Sequence, residues 1–403
     1  MNNKVLFITQ VFYPDEVSTA NLFTDLCSAL VEDKVDIEVW CAQPSYTYTQ
    51  RQSDKMVYNG IQISYLASTN FRKTSITGRL INYITFMTSV FVKLLISADK
   101  KPVMTHTTPP TLAIFLSLIC YLKRRKFIQI LLDIYPEGLI RLGKLKRNNP
   151  LVRLWHRLFV FSLNKTDILI VIGRDMKVWI EKFVTHSEKL AYIPLWQNDK
   201  LITPADLDEN EIIAQYGMKD TFIVQYSGNM GLWNDMRTIG KVVMRKPAGV
   251  RFMFIGDGMR KKELLESMDM QIPENVIMLP FQTKEDFRKS ITACHAAIVS
   301  LDIGLEGMAV PSKIFGIMAA GIPVIALVPP ESEIAMIIRE EECGFVVDPG
   351  DVSGFITAVN ALKSVEDDRI KMGINGRKAF EEKYTLGKIA RKYKTIISGI
   401  NSR

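Results

Sequence analysis

The chain has 403 residues, with 47% hydrophobic and 23% charged positions and a net charge of +8. That composition excludes collagen-like, low-complexity and disordered classes, and the length suits two domains that each bury a core. The charge is uneven: residues 1–200 hold 26 Lys and Arg against 16 Asp and Glu, and residues 201–403 hold 25 against 27.

In chain order, short β-branched apolar runs alternate with stretches of helical period. The N-terminus, MNNKVLFITQVFYPDE, reads as a first strand and is too short in its apolar part for a signal peptide. Strands are expected at Val5–Thr9, Ile37–Cys41, Ile61–Leu66, Phe127–Leu132 and Ile168–Ile172. A second series runs Phe222–Tyr226, Phe252–Ile255, Val276–Leu279, Ala297–Leu301 and Pro323–Leu327. Continuous apolar strands separated by helices indicate parallel sheets covered on both faces. The pattern restarts near residue 222 after the polar, Pro-containing stretch Pro194–Asp208, expected to be the linker. The domains are therefore expected at 1–197 and 198–403, with the last helix, about 376–403, a candidate to pack back on the first domain.

Several features narrow the chemistry. Five Cys without C-x-x-C pairs, and only four His, argue for reduced thiols and against a disulfide framework or structural zinc. Leu80–Ala98 and Thr111–Leu122 are apolar enough to raise a membrane question, but Asn82 and Lys93 in one and the shortness of the other favour buried helices. Lys144–Lys165 carries six Lys and Arg, no acid, and interleaved Leu, Trp and Phe. It reads either as a basic amphipathic helix for an anionic leaflet or as a sheet-packed helix with a solvated basic face. No nucleic-acid module accompanies the basic half.

The sharpest signals are loops. Tyr226-Ser227-Gly228-Asn229-Met230-Gly231 and Ile255-Gly256-Asp257-Gly258 each follow a strand, where glycine permits close approach to a ligand. Val310–Ala326 reads as a turn with Pro311, a helix of small residues, a Gly321 cap and a strand, with Ser312 and Lys313 at the helix start as an anion site. Together with Phe12–Glu16 and Asp133-Ile134-Tyr135-Pro136-Glu137, these residues resemble the retaining GT-B glycosyltransferases of family 4, in particular bacterial enzymes of O-antigen, capsule and colanic-acid synthesis such as N-acetyl-fucosaminyl transferases. The resemblance covers nearly the whole chain.

It implies an α/β GT-B fold of two doubly wound Rossmann-like domains facing each other across a cleft. It also implies transfer of a sugar from a nucleotide-diphosphate donor, expected to be UDP-linked, to a polyprenyl-diphosphate-linked saccharide with retention. No cofactor or metal is expected beyond the nucleotide sugar. Cytoplasmic placement on the anionic inner membrane surface is expected, with no nucleic-acid partner. Carried over by position, Gly228 and Asn229 face the diphosphate, Gly256 and Gly258 lie near the nucleotide, and Ser312 and Lys313 lie beneath the phosphates. His106 matches an acceptor-domain histidine near the reacting sugar; its alternative is a loop residue capping backbone groups. Asp133 ends a strand where catalytic or substrate-binding acids lie, and Glu16 follows the first strand as a substrate contact or a cap. The usual Glu-x7-Glu pair falls on Met308 and Gly316, so Glu306 is the candidate substitute for the first carboxylate. Two alternatives stay open: a nucleotide-sugar 2-epimerase, and a non-catalytic nucleotide-sugar-binding or scaffold homologue.

Overall fold

The computed structural model describes residues 3–44, 52–71 and 76–402. The chain divides into one unit of Met1–Pro194 with Leu386–Arg403, and a second of Leu195–Thr385. The boundary thus lies three residues before the expected one, and the returning segment begins at Leu386.

The first unit is built on eight strands: β1 (Lys4–Ile8), β2 (Asp36–Ala42), β3 (Lys55–Tyr58), β4 (Ile61–Leu66), β5 (Val103–His106), β6 (Phe127–Leu131), β7 (Ile168–Val171) and β8 (Leu190–Tyr192). Their order is β3-β4-β2-β1-β5-β6-β7-β8, with only β3 antiparallel. Its helices are α1 (Ser18–Glu32), α2 (Ile76–Ile96), α3 (Leu112–Leu122), α4 (Glu137–Arg141), α5 (Pro150–Lys165) and α6 (Arg174–Glu181). β1, β5 and β6 are buried along almost their whole length, so both of their faces are covered, as in parallel central strands. Strand order turns outward in both directions from β1 and β5, which makes their carboxyl ends the switch point of the sheet.

The second unit carries α7 (Glu211–Gln215), β9 (Phe222–Ser227), α8 (Met236–Met244), β10 (Val250–Ile255), α9 (Lys261–Glu266), β11 (Val276–Leu279), α10 (Lys284–Ile291), β12 (Ala296–Ser300), α11 (Lys313–Ala319), β13 (Val324–Leu327), α12 (Glu333–Glu341), β14 (Gly344–Val347), α13 (Val352–Ser364) and α14 (Glu366–Ala379). All six strands are parallel in the order β11-β10-β9-β12-β13-β14, with the switch point between β9 and β12. A closing helix, α15 (Leu386–Asn401), packs on α1 and β1 of the first unit. Asn401 also donates to the Lys4 carbonyl.

Two expectations are corrected. The stretch Pro194–Asp208 is not a bare linker: Leu195, Trp196 and Ile202 are buried, and Arg377 donates to the Ile202 carbonyl at 3.2 Å. Gln197 and Thr385 form a parallel bridge where the chain enters and leaves the second unit. The helix expected to be buried over Leu80–Ala98 is α2, and only 22% of its apolar window is buried. Its inner stripe Asn82, Phe86, Val90 and Leu94 packs on the sheet, while the opposite side stays exposed. All five Cys are free and buried.

Candidate functional site

At the second switch point, three loops converge after β9, β10 and β12. Gly228 adopts φ +113 and donates its N–H to the Ile255 carbonyl at 2.8 Å. Gly256 adopts φ +123, and a Cβ there would stand 2.3 Å from the Gly228 carbonyl oxygen. A Cβ on Gly258 would lie 2.4 Å from the Met230 carbonyl oxygen and 2.6 Å from Asn229 Oδ1. Neither position accepts a side chain without moving backbone, so both glycines exist to let two loops touch. Asn229 is exposed at the tip of the first loop.

Lys313, the first residue of α11, reaches under these loops. Its Nζ lies 3.4 Å from the centroid of the Tyr226 ring and 3.9 Å from where a Gly228 Cβ would be. The ammonium is buried and has no hydrogen-bond partner among the described residues, while its stem is half-exposed. Burial pulls its pKa down to about 7. A cation held only by a ring face retains unused donor capacity for an anion. Ser312, just before it, is exposed and makes no side-chain cap of the helix. At the far end, Gly321 at φ +70 closes α11 with bonds from Gly321 N to Met318 O and Ile322 N to Ile317 O, a Schellman cap.

The loops are locked by residues that no sequence motif marks. The Tyr226 hydroxyl lies 2.9 Å from the Asn229 carbonyl and 3.0 Å from Asn234 Oδ1, and Asn234 Nδ2 donates to the Ser300 carbonyl at 2.7 Å. Arg260 Nη1 bridges the Asn234 carbonyl at 2.8 Å and Asp302 at 2.6 Å. These partners lie up to 66 residues apart, so only folding brings them together. Glu306 is half-buried in the loop after β12, between Gly304 at φ +74 and Gly307 at φ +73. Met308 is fully buried, and a Cβ on Gly316 would meet Ile291 at 3.1 Å and Ile202 at 3.5 Å. Both places of the carboxylate pair are thus packing positions in this chain.

In the first unit the picture differs. His106 closes β5 and is 1% exposed. Its Nδ1 accepts the Thr108 N–H at 3.1 Å, so the proton resides on Nε2, which is 3.0 Å from Thr9 Oγ1. Thr9 in turn donates to the Val11 carbonyl at 3.1 Å. The ring stacks on Phe23 at 4.6 Å, and burial depresses its pKa to about 3. Both nitrogens are engaged at the junction of β1 and β5.

Asp133 follows β6; its N–H and that of Leu132 donate to Thr107 Oγ1 at 3.2 and 3.0 Å. Burial raises its carboxyl to about 7; burial, and after it the Asp133 charge, push the Tyr135 phenol up. A group balanced near neutrality is suited to proton transfer. Glu137 opens α4 and is paired with Arg147 and, at 3.9 Å, with Arg141. Glu16 is exposed between β1 and α1, where its carbonyl accepts from Asn21 at 3.1 Å. Glycines and Lys313 are therefore gathered in one site; Asp133, His106 and Glu16 lie in the other unit. Among the described residues no three His, Cys, Asp or Glu side chains gather as a metal site requires.

Residues 226–364 match the family described as Glycosyl transferases group 1, and this span holds every second-unit residue of the site just described except Ile202. The probable glycosyltransferase WbjE of Pseudomonas aeruginosa is 29% identical over 288 residues, 70% of this chain and 70% of that protein. Among solved structures, sucrose-phosphate synthase from Thermosynechococcus elongatus superposes with a TM-score of 0.76 over 99% of both chains at 15% identity. Anabaena HepE, solved with UDP and glucose, gives 0.76 over 98% of this chain and 99% of its own, also at 15%. The likeness to these structures identifies the fold as GT-B, two α/β units of Rossmann type.

Proposed function

From the premise that this chain is a glycosyltransferase, as the family match and the curated relative make it, we propose that it moves a sugar from a UDP-linked donor to a lipid-linked saccharide acceptor in surface-polysaccharide synthesis, with retention and without a metal. The observation that carries the reading is the buried Lys313 ammonium, with no hydrogen-bond partner and with glycine loops beside it. When the bond between the anomeric carbon and the phosphate oxygen breaks, charge gathers on the departing diphosphate. Lys313 and the backbone around Gly228 offset that charge where it forms. The leaving phosphate oxygen takes the acceptor proton on the same face, and Asp133 serves the acceptor from the first unit. The complex of HepE with UDP and glucose supports the choice of nucleotide. The basic first half, with +10 from residues 1–200, supports a cytoplasmic enzyme held peripherally at an anionic inner leaflet.

Mass spectrometry of products from mixed nucleotide sugars and a polyprenyl-diphosphate saccharide tests this. A single sugar added to the acceptor, drawn from a UDP donor, is expected. Donor isomerised without acceptor reveals a 2-epimerase instead, and donor bound but never consumed reveals a non-catalytic homologue.

A further inference from the structure

We propose that α2, α3 and α5 form one membrane-seating plate, in which α2 lies in the plane of an anionic bilayer with its outer side among the acyl chains. This deepens the peripheral docking proposed above, adds a specific inserting helix to it, and is independent of the sugar chemistry.

The three helices pack side by side, α2 on α3 and α3 on α5. They are crossovers leading the same way across the sheet, which places them on one face. On α2 the residues Leu80, Ile84, Phe91 and Leu95 recur at helical spacing and are 55, 53, 39 and 48% exposed. They point away from the buried stripe of Asn82, Phe86, Val90 and Leu94. Leu122 on α3 and Leu154 on α5 continue the apolar surface at 70 and 52% exposure. Apolar exposure on this scale on adjacent helices marks an interaction surface.

Charge identifies the occupant. The residues of α2, α3 and α5 include five Lys and Arg and no Asp or Glu, and the run Lys123-Arg124-Arg125-Lys126 follows α3 directly. A second copy of this plate would meet like charge, whereas an anionic lipid surface complements it. The polar groups of α2 are already satisfied as a lipid boundary demands. Thr85 and Thr88 donate to the Ile81 and Ile84 carbonyls of their own helix, each at 3.0 Å. Lys123 Nζ caps the carbonyls of Leu94, Leu95 and Ser97 at 2.9, 2.6 and 2.9 Å. Hydroxyls and carbonyls so paired lose little on leaving water.

The helix lies flat and does not span. By length and composition Thr77–Ile96 is long enough to cross. Asn82, however, accepts from Thr69 and from the Phe71 N–H at 2.9 Å each and donates to the Phe71 carbonyl, which ties α2 to the loop after β4. Crossing would break those bonds and strip the sheet of its cover.

The test is co-sedimentation of the full chain with vesicles of pure phosphatidylcholine or of phosphatidylcholine with phosphatidylglycerol, at 0.1 and 1 M salt. Electrostatic docking alone fades at 1 M, where the Debye length falls to about 3 Å. The inserted helix is expected to leave a salt-resistant fraction on anionic vesicles. The variant Leu80→Ser/Ile84→Ser/Leu95→Ser should lower partitioning on the order of a thousandfold, from roughly tenfold per side chain withdrawn from lipid. Arg153→Ser/Arg157→Ser should weaken binding at 0.1 M and spare the salt-resistant fraction. Its urea midpoint should match the wild type, and the single variant Leu95→Ser repeats the test should the triple fail to fold. Complete wash-off of wild type at 1 M salt, wild-type binding by the triple variant, or a wild-type dimer that the triple variant dissolves each overturns the plate. Activity on a water-soluble acceptor fragment reports separately on the transferase reading.

Discussion

The two sheets of this protein have the same kind of switch point and use it in opposite ways. Between β1 and β5 the polar side chains pair with one another and with backbone: His106 bonds Thr9 through one ring nitrogen and the Thr108 N–H through the other, and Thr105 Oγ1 donates to the Ile8 carbonyl at 2.6 Å. Between β9 and β12 glycine loops leave a buried ammonium without a hydrogen-bond acceptor. A closed network stabilises the fold, because a buried donor left unpaired costs more than the pair gains. An unpaired cation does the reverse: it costs stability until an anion arrives. The second switch point thus keeps donor capacity in reserve, and the first closes as a joint.

The largest effect should come from Lys313→Met. Turnover is expected to fall about 10²–10³-fold, as for the loss of one preorganised charge contact, while the thermal midpoint without nucleotide holds or rises. Near-normal turnover would remove Lys313 from the site. The wild-type ammonium titrates near pH 7 before binding, and a bound diphosphate favours the charged form, so its pKa rises. Nucleotide affinity should thus weaken as pH climbs above 7, with proton uptake on binding at pH 8. Calorimetry in buffers of different ionisation enthalpy measures that uptake, and the Met variant should abolish it.

Asp133→Asn probes the one reactive group near the first joint. A loss on the order of 10² in turnover is expected for an ionised carboxylate that orients the acceptor hydroxyl. Its pKa of about 7 requires activity to rise with pH through neutrality, since the ionised form does the work. The variant should flatten that acid limb in a kcat/KM profile; an unchanged limb assigns the titration elsewhere.

Thr9→Val sharpens the contrast from the other side. It strands the His106 Nε2 proton in a dry environment and should cost about 1–3 kcal/mol in urea denaturation. Nucleotide affinity should stay unchanged, because the joint belongs to the first unit and the glycine loops and Lys313 to the second. A drop in affinity without a drop in stability would make the joint a binding site after all.

The smallest effect is an acid sensitivity. His106 is held neutral, with a folded pKa near 3 against about 6.5 unfolded. The unfolded chain therefore binds more protons below pH 6.5, so stability is full above that value and is lost as pH falls toward 3. At pH 5.5 the loss from His106 alone is about 1 kcal/mol. His295, depressed to about 4 and accepting the Ile223 N–H at 3.0 Å, adds in the same direction. Urea midpoints at pH 7.5 and 5.5 measure the sum, and equal midpoints would mean both imidazoles charge freely.

Most of the fold was legible in the sequence, since β-branched runs such as Phe222–Ser227 and Ala296–Ser300 cannot be exposed on either face. The strands that escaped were β3, β5, β8 and β14. β3 alternates exposed and half-buried residues at an edge, and β5 has only four residues, one of them the His that looked like a loop. β8 is three residues long, and β14 is an edge strand opening on Gly344, whose Cβ would stand 2.0 Å from the Val324 carbonyl oxygen. The glycine loops and Lys313 were equally legible, because only glycine tolerates those φ values and a charged residue opening an apolar helix is conspicuous.

Tertiary structure decided the rest, where the outcome depended on which neighbour came close. Local sequence contains His106 but not Thr9, 97 residues away, whose hydroxyl uses up one ring nitrogen. It contains Arg260 but not Asp302, and Gly316 but not the isoleucines that fill the space a carboxylate would need. The same holds for α2. Its apolar residues spell a helix long enough to bury, and only the packing reveals that the sheet covers one stripe and leaves the other outside. Periodicity and backbone stereochemistry act within a few residues and are written in the chain. Burial, pairing and exposure are properties of surfaces that meet only after folding.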